Sequence, residues 1–139
     1  MSFTPHINKQ AKRLAFLATL DLNAYTAKAE VNKEAYLSTG RSVLRAIAKH
    51  YGVGEYKIST NRAGIAVSGD VYLMAMFDND RGIYIHMSEP RLFGGTPEFF
   101  YRTITHMKDY TGGRNQTMTY DILAQDLESA CALMKRNTI

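Results

Sequence analysis

The chain has 139 residues, 45% of them hydrophobic and 22% charged, and Lys and Arg outnumber Asp and Glu by 17 to 13 for a net charge of +4. That length gives one domain around one core, and no apolar run approaches the ~20 residues of a membrane span, so a soluble protein with no membrane partner is expected. The charge permits an anionic partner without supplying a basic arm, while a single cysteine and a polar stretch from Met1 to Gln10 lead us to expect a cytoplasmic protein with no disulfide framework.

Thr4 and Pro5 read as the cap and first position of a helix whose broad apolar stripe, Ile7, Ala11, Leu14, Phe16, Leu17 and Ala18, ends near Leu20. Residues 21–31 read either as a connection or as a frayed continuation. A second helix follows from the spacing of Tyr36, Gly40, Val43, Leu44, Ile47, Ala48 and Tyr51, with Asn32 able to cap its start and Gly52 to close its end. Gly40 lies on the apolar side, where glycine costs up to about 1 kcal/mol relative to alanine; its presence implies a close approach of backbone to a neighbouring element. Arg41, Arg45 and Lys49 recur at intervals of four and form a cationic ridge, read either as a solvated face or as a contact for an anion.

From Glu55 to Ser88 three turn signals, at 61–64, 68–70 and 78–82, divide the chain into a four-stranded meander. Antiparallel pairing puts Ile58 opposite Val67, Val67 opposite Val71, Phe77 opposite Ile83, Ala75 opposite Ile85 and Leu73 opposite Met87. One face then collects Tyr56, Ile58, Ile65, Val67, Val71, Leu73, Ala75, Phe77, Ile83, Ile85 and Met87, and must be covered. The other carries Lys57, Ser59, Ala66, Ser68, Tyr72, Met74, Met76, Tyr84, His86 and Ser88, too apolar for plain solvent and too polar for a second full core.

Pro90, Gly94, Gly95 and Pro97 mark a loop, in which Gly94-Gly95-Thr96 beside Arg91 is a weak anion-binding signal without the lysine of a phosphate loop. Phe99 to Tyr110 is rich in strand formers and is read as a strand, returning through 110–115 into a second one at Gln116–Tyr120. Leu123, Leu127, Ala130, Cys131 and Met134 give a closing helix, capped by Asp121. The expected fold is therefore α+β: a four-stranded antiparallel meander extended by a second hairpin, with two N-terminal helices and one C-terminal helix packed on one face.

Metal or nucleophile chemistry is not signalled. The lone Cys131 falls on an apolar helix face, His6, His50, His86 and His106 are scattered, and Asp78 and Asp80 are accounted for by turn formation, so no cofactor, metal or catalytic residue is assigned. His86 sits on the half-polar face opposite Met74 with no carboxylate placed beside it.

Tyr72 and Tyr84 on that face, with Lys57, His86 and Met74, have the composition of surfaces that stack bases and neutralise phosphate. Tyr101, Arg102 and Arg114 extend it if the second hairpin joins the same sheet, and Arg41, Arg45 and Lys49 are further cations. We expect a non-enzymatic accessory binding protein for single-stranded nucleic acid. The alternatives are a protein-interaction module or homo-oligomer using the same tyrosines and methionines, and a small enzyme with its site at His86 or His106.

Overall fold

The computed structural model describes residues 3–64, 69–88, 95–110 and 113–138. Helix α1 (Pro5–Leu17) begins where expected, the Thr4 hydroxyl accepting from the Ile7 amide. Of its stripe only Phe16 points outward, 62% exposed. Helix α2 (Ala27–Tyr51) starts five residues before Asn32, because Thr26 takes the extended conformation of a cap and accepts from the Ala29 amide. Gly52 closes α2 at φ 65°, a left-handed conformation that glycine adopts without strain. A Cβ on Gly40 would lie 3.0 Å from Val71 Cγ1, so this glycine sets how closely α2 approaches the sheet.

The sheet is antiparallel in the order β1 (Glu55–Asn61), β2 (Asp70–Met76), β3 (Gly82–Ser88), β4 (Glu98–Ile104) and β5 (Gln116–Thr119). Two expected pairings change. β1 pairs directly with β2, Ile58 against Leu73, so no strand intervenes; Ile65, Ala66, Val67 and Ser68 lie outside the described residues. The β2–β3 turn is tighter than expected, since both Phe77 and Asp78 amides donate to the Arg81 carbonyl, and this moves the register by two residues to Leu73 against Ile85 and Ala75 against Ile83. A two-residue shift keeps every side chain on its face, so the division of the strands into faces stands although the partners differ.

The covered face joins Val71, Leu73, Ala75, Ile83, Ile85 and Met87 to Leu14, Val43, Leu44 and Ile47 from the first two helices. Instead of one C-terminal helix there are two, α3 (Tyr120–Gln125) and α4 (Leu127–Asn137). Asp126 leaves helical geometry between them and its carboxylate caps α4 at the Ser129 amide, while Thr119 rather than Asp121 caps α3. Cys131 and Met134 of α4 complete the core, and Tyr101 joins it from β4, its hydroxyl accepting from Asn137 Nδ2 at 2.8 Å. Among the described residues no helix is long and apolar enough to cross a membrane.

Candidate binding face

On the other face the strand registers build two rows: Ser59, Tyr72, His86, Phe100 and Thr117 across all five strands, and Lys57, Met74, Tyr84 and Arg102 beside it. No helical residue belongs to the small apolar cluster there. Met74, Met76 and Ile104 are buried beneath Tyr72, Tyr84 and Met107, the last carried on the segment that follows β4. The two methionines are therefore the floor of the face and not the pliable contact surface expected of them.

Above that floor the rings form a column. Tyr72 and Tyr84 stack with centroids 5.3 Å apart and planes 16° from parallel, and Tyr84 continues onto Phe100 at 6.0 Å and 17°. His86 lies alongside, 4.8 Å from Phe100. Lys57 covers Tyr72 at 5.9 Å and Arg102 covers Tyr84 at 4.8 Å, both within the range of cation–π attraction. The inner ring faces are thus occupied by one another. The outer face of Phe100, toward the small Thr117 on β5, has no ring against it among the described residues.

His86 does have a carboxylate beside it. Its Nε2 lies 3.1 Å from Asp70 Oδ2, because the shifted register pairs Asp70 with Ser88 and makes it the diagonal neighbour of His86. In the neutral ring Nε2–H donates to Asp70 and Nδ1 becomes an acceptor; Nδ1 is buried and has no partner among the described residues. His86 also faces Tyr72, not Met74. Burial is the largest influence on the Tyr84 hydroxyl and pushes its pKa up to about 12. Burial likewise raises that of Tyr72, but polar contacts with Ser59, Tyr110 and Lys57 outweigh it and hold the hydroxyl below the usual tyrosine range.

The remaining expected site residues divide by position. Tyr101 alternates onto the covered face, as neighbours in a strand must, and it is Phe100 that joins the aromatic row. Arg102 is on the open face but nearly buried: it donates to the Asp109 carbonyl at 2.6 Å and the Thr103 carbonyl at 3.3 Å, with the Asp109 carboxylate 3.8 Å away. It holds residues 105–110 over the floor and is not a free cation. Arg114 is exposed in the β4–β5 connection, as is Lys108. Arg41, Arg45 and Lys49 belong to α2, on the opposite side of the sheet, where Arg41 donates to Thr60 Oγ1.

Asp78 Oδ1 accepts from the Asp80 amide, so the acid pair serves its turn, and Glu89, Pro90, Arg91 and Gly94 lie outside the described residues. His106 lines a cavity of about 370 Å³ with Glu55, Met76 and Asp78, but its ring is held by Thr105 Oγ1 at 3.0 Å. Among the described residues no group of three His, Cys, Asp or Glu converges as metal ligands would. No family model matches the chain, and neither does any curated protein or solved structure.

Proposed function

We propose that this is a non-enzymatic binding protein whose sheet face opposite the helices takes single-stranded nucleic acid. The supporting observation is the ring column Tyr72, Tyr84 and Phe100 standing on a sealed apolar floor. Since the inner faces are taken, a base stacks at the Phe100 end over Thr117 and not between the tyrosines, while phosphates meet Lys57, Lys108 and Arg114, none of which is in an ion pair among the described residues. The lone buried thiol of Cys131 suits a reducing compartment, and we place the activity in the cytoplasm.

Anisotropy of a labelled oligonucleotide at two ionic strengths tests this. One stacked base is worth about 1 to 3 kcal/mol, so Phe100→Ala should weaken binding about fivefold or more. Three phosphate contacts to a single strand give a log–log salt slope of about −2. A second reading follows from the mutual stacking itself: rings that have used their faces present edges and hydroxyls, and Tyr110, 50% exposed, stands beside Tyr72, a surface that fits a protein partner or a second copy. No oligonucleotide binding at low salt together with a stable dimer in solution would sink the first reading and leave the second.

A further inference from the structure

On the far side of the molecule from the ring column, a groove of about 400 Å³ runs between the start of α1 and the C-terminal half of α2. We propose that it binds a small aromatic carboxylate, with the ring against Phe3 and His50 and the carboxylate at Arg45 and Lys49. The volume falls at the lower end of the range of small-molecule sites. One wall is the Phe3–His50 pair, stacked at 4.5 Å and 25° so that their inner faces cover each other and an outer ring face is what remains for a ligand, and half-buried Ile7 and Ala46 supply the apolar floor.

The charge is one-sided. Residues 3–20 and 35–54 contain no Asp or Glu, while they hold Lys9, Lys12, Arg13, Arg41, Arg45 and Lys49. Arg45 and Lys49 stand one helical turn apart at the rim, exposed, and neither takes part in an ion pair among the described residues. Helix α1 starts at the same mouth with no acid in its first turn, so its positive end adds to the field, and the acids that share Phe3 with it, Asp126 and Glu128, line a separate groove. A flat apolar wall and two adjacent cations with no acid of their own complement a planar ring bearing one negative group, and a neutral ring would leave the cations unused.

The test is calorimetric titration of the full chain with 2-naphthoate and, separately, with the neutral 2-naphthamide. Naphthoate should bind about tenfold more tightly or better, the worth of one charge-assisted contact. Arg45→Gln and Lys49→Gln should each weaken naphthoate several-fold without moving naphthamide, and Ala46→Phe, which fills the floor, should abolish both while thermal unfolding confirms that each variant is folded. Equal affinity for the two probes overturns the proposal, as does no binding of naphthoate. Binding unchanged in all three variants would place the ligand elsewhere and also overturn it. Association with phosphatidylglycerol vesicles that is lost in the Arg45→Gln/Lys49→Gln chain, without naphthoate binding, would replace the ligand site by a membrane-facing patch.

Discussion

Tyr36 and Tyr120 are buried completely and hydrogen-bond to each other through their hydroxyls, across 84 residues of sequence. Such a pair is worth little net but costs much when halved, because the surviving hydroxyl has no water to turn to. Tyr36→Phe should therefore destabilise the protein by about 1 to 3 kcal/mol, whereas Tyr36→Phe with Tyr120→Phe should cost less than the two single changes added together, a difference that denaturant unfolding of the cycle reads directly. Tyr36 was legible as a core residue from its helical spacing, and Tyr120 only as the end of a strand; nothing in a sequence pattern brings two hydroxyls together at that separation. Asp70 beside His86 was hidden for a related reason. Its position depends on a turn two residues tighter than composition implies, with the Arg81 carbonyl accepting from two amides.

Arg102 is a main anchor of the segment after β4. Arg102 ties it down through the Asp109 carbonyl and stacks on Tyr84, and Met107 seals the floor beneath. Arg102→Ala should loosen residues 105–110 selectively: trypsin should cut after Lys108 in the variant faster than in the parent, with a loss of stability of about 1 to 3 kcal/mol, and Arg102→Lys, lacking the planar fork, should recover only part of it. At this scale much was legible. The positions of β1, β2, β3 and β5 and both N-terminal helices follow from periodicity and turn residues, and the faces survive because their period is two, but the strand expected from Phe99 to Tyr110 stops at Ile104, where residues 105–110 turn away over the floor. The break at Asp126 was not, since an acid one turn into a continuous apolar stripe looks like a dipole partner until the Ser129 amide is seen to bind it. The candidate face was legible in Lys57, Tyr72, Tyr84 and His86. It was misread at Tyr101, which as the neighbour of Arg102 in a strand must point to the other face.

For the molecule as a whole, the buried hydroxyls and thiol set the response to alkali. Burial raises Tyr36, Tyr51 and Tyr120 well above the ordinary tyrosine value of 10.0, and lifts Cys131 from 9.0 to about 12. An acid whose folded pKa is raised stabilises fully below its unfolded value and loses that contribution as pH climbs toward its folded value; only Tyr72 acts in the opposite sense. The melting temperature should hold steady from neutral to about pH 9 and then fall steadily as the unfolded chain begins to ionise, with the tyrosinate signal of the three buried rings, the last part of the absorbance rise, appearing together with unfolding and not before it. The strand order has a further consequence, in the time course of synthesis. Because each strand pairs only with its neighbours in the chain, the sheet can be assembled one hairpin at a time as the polypeptide emerges, which favours rapid folding. The two helices made first have no such recourse: their apolar side, Val43, Leu44 and Ile47, waits for β2 and β3, and Tyr51 waits longer still for the Cys131 carbonyl it binds. For much of its synthesis the chain is an amphipathic helical hairpin in need of shelter, and it becomes a closed core only when α4 arrives.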